Sequence, residues 1–241
     1  MKYRYLIFDV DDTLLDFYAA YSQAQRAVAA RLGVAFSAEY AETDEALGWK
    51  YWAEFGLDNT GDPDVQRHYH DYYFKYLNHH FTALAQAFGS QAQAEDLLEA
   101  YFSALASCRK PMEEATLPVY RELSRTYGMM IATNGVGRVQ RARLRDFLPA
   151  SAGVYISEEV GWIKPAKAFY QRLLEDGNCR PQDCLMIGDS LSNDMSGAGA
   201  LGMSTCWYNR KKRPVPLQPK VDWMIETIEE LPGLLRGGAS G

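Results

Sequence analysis

The sequence predicts an α/β protein with a parallel β-sheet core that is interrupted by an inserted helical domain. Short apolar runs end in polar clusters, helical patterns lie between them, and one interval between runs is far too long for a single helix. Bounded apolar runs are typical of buried parallel strands, and their alternation with helices implies right-handed crossovers. The runs cover residues 6–8, 129–132, 154–156 and 185–187, with weaker ones at 205–208 and 223–225.

Apolar residues at helical spacing predict the helices of the core. One helix is expected after the second run, through Val139, Leu144 and Phe147, and another before the fourth run, through Phe169 and Leu173. Two further helices are expected near residues 116–126 and 228–235.

The helical insertion lies between the first two strands. Their ends, at residues 8 and 132, are about 124 positions apart, whereas a whole strand–helix–strand unit needs about 30 residues. Helical spacing recurs through Ala24, Val28 and Leu32 and across residues 97–105, and residues 58–63 have the composition of a loop. We therefore predict a discontinuous α/β core domain of residues 1–16 and 113–236, a helical domain of residues 17–112 and a flexible tail of residues 237–241.

Charge and cysteine content indicate which partners and which cellular compartment are expected. The chain has 25 basic and 31 acidic residues and a net charge of −6, which gives no basic surface for a polynucleotide. Its four cysteines are scattered, as expected in a reducing compartment, and no apolar run is long enough to span a membrane. We predict a cytoplasmic protein with a small-molecule ligand, no polynucleotide partner and no membrane partner; the sequence leaves the oligomeric state open. The basic, proline-containing segment of residues 211–216 could contact anionic groups, but a solvated loop is the preferred interpretation.

Acidic clusters follow two of the strands, at the sheet edge where open α/β sheets bind their ligands. Asp9 and Asp11 come after the first run, and Asp189 and Asp194 follow the fourth. Each cluster alone is compatible with an ordinary turn or helix start. Together they place three or four acidic oxygens around one point, which predicts a Mg²⁺ site.

Two further clusters predict phosphate binding at the same edge. Thr133 and Asn134, followed by Gly135, offer hydroxyl, amide and backbone donors to phosphate oxygens. Lys164 comes just before Pro165, which is expected to open the following helix, and offers a compact positive charge to a phosphate or a neighbouring carboxylate.

In order and spacing, these clusters resemble the four motifs of the haloacid dehalogenase (HAD) superfamily, specifically of its Mg²⁺-dependent phosphatases. The set is Asp9-x-Asp11-x-Thr13, Thr133-Asn134, Lys164-Pro165 and Gly188-Asp189 with Asp194. The resemblance implies a Rossmann-like, HAD-like core with a helical C1 cap inserted between the first two motifs. Residues 156–161 and 205–209 are also similar to stretches of bacterial pyrimidine 5′-nucleotidases, which hydrolyse common and unusual nucleoside monophosphates.

The resemblance implies a role for each motif residue. Asp9 is expected to be the nucleophile that forms an aspartyl-phosphate, and Asp11 the general acid and base. Thr13 is expected to orient the Asp11 loop. Mg²⁺ is expected on the Asp9 carboxylate, the Asp11 backbone carbonyl, Asp189 and Asp194, the last directly or through water. The phosphate is expected to bind Thr133, Asn134 and Lys164, and Lys164 also counts as catalytic.

The sequence departs from the family pattern at Asp12, where many relatives carry glycine, and this side chain is expected to face away from the site. Asp11 favours phosphoryl transfer, because the dehalogenases of the superfamily lack this second carboxylate. The leading hypothesis is a 5′-nucleotidase. A phosphatase for a sugar phosphate or phosphoglycolate, or a sugar phosphomutase, would use the same residues, and a catalytically inactive binding protein is disfavoured by the intact motifs.

The inserted domain is expected to recognise the rest of the substrate. Phe17 and Tyr18, which directly follow the first motif, are the preferred candidates. The aromatic residues Trp49, Tyr51 and Trp52 are more typical of packing within the domain. The histidines at positions 68, 70, 79 and 80 lack the cysteine or carboxylate partners of a zinc site.

Overall fold

The computed structural model describes residues 2–215 and 217–237. In this part of the chain, six parallel strands form one sheet in the order β3-β2-β1-β4-β5-β6. Each predicted run is a strand, so the predicted α/β fold class is confirmed. The strands are β1 (Tyr5–Phe8), β2 (Gly128–Thr133), β3 (Gly153–Ile156), β4 (Cys184–Gly188), β5 (Ser204–Tyr208) and β6 (Trp223–Ile225).

Strand β1 lies between β2 and β4, and its register decides what meets at the carboxyl edge. Phe8 is opposite Ile131 on β2 and Ile187 on β4. The next residue, Asp9, continues the ladder by donating its backbone N–H to the Ile187 carbonyl at 2.9 Å. The polar residues that follow β1 and β4 therefore leave the sheet side by side.

Both faces of the sheet are buried, because successive residues along a strand point to opposite sides. On one face, Phe8, Ile131 and Ile187 pack in a cluster with Tyr120 and Phe147. On the other face, the cluster contains Ile7, Met130, Met186, Phe169 and Trp207. This two-sided burial explains why the strands are continuous apolar runs rather than alternating patterns.

The chain divides into two compact units. One consists of Phe17–Arg109 with Arg138–Arg143, and the other contains the remaining described residues. We propose that these units are the two domains of the protein. Of the predicted flexible tail, Gly237 ends the last helix, and residues 238–241 lie outside the described part of the chain.

The helical unit is built mainly from four helices: α1 (Phe17–Leu32), α2 (Ala38–Glu54), α3 (Pro63–Ala87) and α4 (Ala94–Ser107). Ala24, Val28 and Leu32 are buried on α1, as their spacing predicts. The Asp62 carboxylate accepts the Asp64 N–H at 2.8 Å, and Pro63 occupies the first turn of α3. The predicted loop at residues 58–63 thus ends in a standard helix start.

The remaining helices are α5 (Thr116–Leu123), α6 (Gly137–Arg143), α7 (Ser157–Val160), α8 (Lys167–Asp176), α9 (Ser196–Gly199) and α10 (Leu231–Gly237). The helix predicted after β2 ends at Arg143, earlier than expected. Two 3₁₀ turns follow, Leu144–Asp146 and Leu148–Ala150. Pro149 lies in the second of these turns, where its missing N–H excludes a continuous α-helix through this position. Leu144 and Phe147 are still buried.

Helix α6 lies outside the insertion in sequence, yet most of it belongs to the helical unit. Arg138 pairs with Glu99 on α4 at 2.9 Å, and Arg143 donates through Nε to the Cys108 carbonyl at 3.3 Å. The Arg143 side chain is buried. These contacts explain why residues 138–143 group with the insertion.

The two chain segments that flank the insertion are joined to each other. Asp16 donates its N–H to the Lys110 carbonyl at 3.0 Å, and the Lys110 ammonium pairs with the Asp16 carboxylate at 2.9 Å. Two residues away on each side, Met112 donates its N–H to the Leu14 carbonyl at 2.9 Å. The segment that leads into the insertion and the segment that follows it are thus bonded to each other next to the loop that carries Asp9 and Asp11.

None of the helices within residues 2–215 and 217–237 is long and apolar enough to cross a membrane. All four cysteines are free thiols. The cytoplasmic location stays a prediction.

Candidate active site

The site is centred on the ammonium group of Lys164, which is buried at the carboxyl edge of the sheet. Its Nζ donates to Asp9 Oδ1 at 2.6 Å, to Asp194 Oδ1 at 2.7 Å and to the Ala132 carbonyl at 2.8 Å. Acceptors from the end of β2 and from the segments after β1 and β4 therefore converge on a single cation. The side chains of Asp9, Asp194 and Lys164 are at most 9% exposed.

Asn134 holds the backbone of Lys164 from the end of β2. Its amide nitrogen donates to the Lys164 carbonyl at 3.0 Å, and its amide oxygen accepts the Lys164 N–H at 2.7 Å. In this structure the side chain of Asn134 thus positions the backbone of Lys164, and its phosphate contact stays a prediction. Lys164 precedes Pro165, and α8 begins only at Lys167, two residues later than the position of the proline.

Three carboxylates form a cluster able to hold a metal ion. Ligand oxygens of Asp9, Asp189 and Asp194 all lie within 4.8 Å of one another. This set fits Mg²⁺, which prefers oxygen ligands and carboxylates in particular. When all groups are ionised, three carboxylates face one ammonium, and the excess of two negative charges is what a divalent cation would neutralise.

The Asp189 backbone is fixed from three directions. Its N–H donates to the Thr13 hydroxyl at 3.1 Å, and its carbonyl accepts Trp207 Nε1–H at 2.9 Å and Arg213 Nη2–H at 3.0 Å. Thr13 ties the Asp11 loop to Asp189, and its orientation of that loop stays a prediction. Neither Trp207 nor Arg213 belongs to the four sequence motifs.

A short turn positions Asp194. The turn, Leu191–Met195, has π-helical geometry and begins with Ser190, whose hydroxyl accepts the Asn193 N–H. The second carboxylate oxygen of Asp194 accepts the Ser190 N–H at 3.1 Å. Each oxygen of this buried carboxylate thus has a donor, Lys164 for Oδ1 and the Ser190 backbone for Oδ2, as a buried charge requires.

Asp11 and Asp12 lie in a tight turn after β1. The N–H groups of Thr13, Leu14 and Leu15 all point to the Val10 carbonyl, and Asp12 has a positive φ of 61°. Asp11 is half-buried, and its carboxylate is not part of the metal cluster. The charge of Asp12 helps to raise the pKa of Asp189.

The proton affinities of the site follow from burial and from its crowded charges. Burial raises the pKa of Asp9 well above its usual range, and Asp194 and Asp189 add to this while Lys164 opposes it. Burial, Asp194 and Asp12 raise the pKa of Asp189 to about 6 against the opposing charges of Lys164 and Arg213. For Lys164, burial lowers the pKa, but Asp194 and Asp9 outweigh it and the net shift is upward. The ammonium is therefore permanently charged at neutral pH.

The loop after β2 is held by residues that the motif analysis did not single out. The Ser157 hydroxyl is buried and accepts the Gly135 N–H at 2.9 Å. Glu158 accepts the Gly137 N–H at 2.6 Å, at the start of α6. Thr133 is buried beside this loop. Serine after a strand is a common helix-start residue, so the sequence alone carried no signal for this role.

The candidate substrate-recognition residues lie in the helical unit. Tyr18 and Trp49 are 79% and 66% exposed, and Phe17 is 37% exposed and stacks on Tyr21. Trp52 packs edge-on against Tyr76, in agreement with the packing interpretation. His80, one of the four histidines of this unit, is buried and bonded through Nε2 to Asp44 at 2.8 Å.

The family is established by comparison with known proteins. The model of the haloacid dehalogenase-like hydrolases matches residues 3–202. The chain therefore belongs to the haloacid dehalogenase-like hydrolase family, and the predicted enzyme class, a HAD-type phosphatase, is confirmed.

Individual relatives match over nearly the whole chain. The HAD-hydrolase YfnB of Bacillus subtilis is 28% identical over 233 residues, 95% of this chain and 94% of YfnB. A crystal structure of YfnB bound to magnesium has a TM-score of 0.80 and covers 98% of this chain and 99% of that one.

Two further relatives are pyrimidine 5′-nucleotidases. PynA of Streptococcus pneumoniae is 29% identical over 87% of this chain and 85% of its own length. YjjG of Escherichia coli is 27% identical over 98% of this chain and 99% of its own length. The resemblance to this group of enzymes is therefore confirmed.

Gly188 allows the Asp194 carboxylate to approach the end of β4. A Cβ at position 188 would overlap this carboxylate, with only 2.6 Å to its Cγ. We expect Gly188→Ala to displace Asp194, to weaken Mg²⁺ binding about 10- to 100-fold and to lower stability by about 1–3 kcal/mol. Calorimetric Mg²⁺ titration and thermal melting measure both effects. Gly199→Ala is the control, since its nearest neighbour would be Thr205 at 3.8 Å; equal behaviour of the two variants would contradict the steric explanation.

Asp189 makes metal-free stability depend on pH. Its pKa is raised to about 6 from 3.8, so the folded state favours the protonated form, and this stabilisation is lost as the pH rises through about 6. Asn in place of Asp189 mimics the neutral form. We therefore expect the melting temperature of Asp189→Asn, measured in EDTA, to rise relative to the unsubstituted protein between pH 4 and 7. Mg²⁺ should raise the melting temperature of the unsubstituted protein more than that of the variant. A difference that does not change with pH would exclude this role.

Proposed function

We propose that the protein is a Mg²⁺-dependent phosphomonoester hydrolase, a 5′-nucleotidase acting on pyrimidine nucleoside monophosphates. The observation that carries the reaction class is the buried Lys164, bonded to Asp9 and Asp194 beside the third carboxylate, Asp189. The substrate class is supported by the two pyrimidine 5′-nucleotidases that match most of the chain.

The metal would be held by Asp9, Asp189 and Asp194, whose oxygens are already grouped. The resemblance adds the Asp11 backbone carbonyl as a further ligand. When bound, Mg²⁺ supplies positive charge that offsets the repulsion between an anionic nucleophile and an anionic phosphate. The magnesium in the YfnB structure supports this choice of ion.

In the proposed mechanism, Asp9 attacks phosphorus and forms an aspartyl-phosphate. The Lys164 ammonium, 2.6 Å from Asp9 Oδ1, holds this carboxylate in place for the attack. Asp11 protonates the leaving alkoxide, and then removes a proton from the water that attacks the aspartyl-phosphate. Release of inorganic phosphate restores the Asp9 carboxylate.

Phosphate binding is proposed for Lys164, Thr133 and Asn134. Lys164 contributes its fixed positive charge, which costs no reorganisation during the reaction. Thr133 contributes its hydroxyl. Because the Asn134 amide is bonded to Lys164, this residue acts through the position of the lysine and through its own backbone N–H.

A substrate panel tests the proposed specificity. With Mg²⁺, we expect phosphate release from CMP, UMP and dTMP with a kcat/KM at least about tenfold above that for AMP, GMP, glucose 6-phosphate and phosphoglycolate, corresponding to about 1.4 kcal/mol of discrimination. Phosphate release by a colorimetric assay measures this ratio. Equal or higher activity on sugar phosphates or phosphoglycolate would contradict the nucleotidase proposal and favour another phosphatase of this family.

Asp9→Asn tests the mechanism. The amide is a poor nucleophile, so we expect turnover of CMP to fall to the background rate, and EDTA to have the same effect on the unsubstituted protein. The matched control is Asp16→Asn, which removes a carboxylate of the same segment that pairs with Lys110 rather than Lys164. Activity that survives Asp9→Asn, or that falls equally in the control, would refute the assigned role.

A further inference from the structure

The loop after β5 carries an exposed cation, Arg213, that also contacts the backbone of the site. The sequence predicts a solvated basic loop at residues 211–216, and the structure describes it as far as Val215. Arg213 is exposed, as the prediction expects, but its Nη2 also donates to the Asp189 carbonyl at 3.0 Å, and its guanidinium lies over the Trp207 ring, 5.2 Å from the centroid. Trp207 donates to the same carbonyl.

Asn209 fixes the backbone of Arg213. It is buried; its amide nitrogen donates to the Arg213 carbonyl at 2.8 Å, and its amide oxygen accepts the Arg213 N–H at 2.9 Å. Asn134 holds the backbone of Lys164 with the same pair of bonds. The two cations that border the acidic cluster are therefore positioned in the same way. In each case an asparagine that follows a strand forms two hydrogen bonds with the backbone of the cationic residue.

Neighbouring cations of this loop have other partners. Lys212 pairs with Glu226 at 2.8 Å, and Arg210 lies 3.8 Å from Glu113. Arg213 instead contacts a carbonyl and an indole, which are both neutral groups, and its charge also acts on the Asp189 carboxylate. A guanidinium has five N–H donors, more than the bond to Asp189 can use, and it binds phosphate oxygens well.

We propose that Arg213 is a further substrate-binding residue, which presents a fixed cation at the carboxyl edge of β4 and β5 and binds the anionic phosphate ester. The proposal rests on the proposed function. Arg213 adds to the attraction for a dianion but takes no part in bond making. Its substitution should therefore change substrate affinity rather than turnover. The competing explanation is that Arg213 only ties the loop to Asp189, which would affect stability and leave affinity unchanged.

Arg213→Gln separates these explanations. We expect the KM for the best nucleotide of the panel to rise about tenfold with kcat within about twofold, as for loss of one charge-assisted hydrogen bond. Binding of inorganic phosphate, measured by calorimetry with Mg²⁺ present, should weaken by a similar factor. Arg213→Lys keeps the charge and should recover most of the affinity. The matched control Lys211→Gln removes the same charge two residues away and should change KM less than about twofold.

Several outcomes would overturn the proposal. These are an unchanged phosphate affinity in Arg213→Gln, an equal effect of Lys211→Gln, or an affinity loss that Arg213→Lys does not recover. A lower melting temperature with unchanged KM would support the tie to Asp189 alone. If the unsubstituted protein hydrolyses no phosphomonoester, the proposed function fails, and phosphate calorimetry still decides the role of Arg213; absence of phosphate binding to the unsubstituted protein would also reject it.

Asn209→Ser provides a second test, because it releases the backbone of Arg213 without removing the cation. We expect this variant to raise KM in the same direction as Arg213→Gln, by a smaller factor. In the double variant, Asn209→Ser should add nothing to the KM of Arg213→Gln, since both act through one guanidinium. Additive effects would contradict the proposed coupling.

Discussion

The structure depends on one buried ammonium group placed between two buried carboxylates. Removing such charges from water is costly, and the cost is recovered only when each charge is paired and hydrogen-bonded. Lys164 meets this condition through Asp9, Asp194 and the Ala132 carbonyl. The arrangement requires that three strand ends lie together at one edge, which is what the parallel register of β2, β1 and β4 provides. Because two of its three partners are carboxylates, the site also keeps a surplus of negative charge for a divalent cation.

Much of this arrangement could be predicted from the sequence. Buried parallel strands leave continuous apolar runs, so every strand could be located, and the ends of those strands identified Asp9, Lys164, Asp189 and Asp194 as neighbours. The helix after β2 was predicted too long, since Leu144 and Phe147 have helical spacing although Leu144 begins the first 3₁₀ turn and Phe147 lies between the two turns. Apolar spacing predicts which residues are buried, but it predicts less well whether the backbone forms an α-helix or a 3₁₀ turn.

Other features depend on partners that are remote in sequence, and no local pattern predicts them. The Asn134 amide is bonded to a residue 30 positions away, and the Asp189 carbonyl to residues 18 and 24 positions away. A Thr-Asn-Gly turn or a basic loop looks the same whether or not such a partner exists. Helix α6 illustrates the same limit, because its grouping with the helical unit follows from contacts with Glu99 and Cys108 rather than from its position in the chain.

The hydrogen bonds of Asn134 also affect its chemical stability. Asn134 is followed by Gly135, and an asparagine before glycine is chemically prone to deamidation, in which the glycine nitrogen attacks the side-chain amide. Here that nitrogen donates to Ser157, and the amide is held by the backbone of Lys164. In the native fold, both reacting groups are therefore already hydrogen-bonded to other residues. An unfolded chain loses this protection. The carboxylate formed by deamidation has no N–H to donate to the Lys164 carbonyl. After refolding, the backbone of Lys164 would therefore be held by fewer hydrogen bonds.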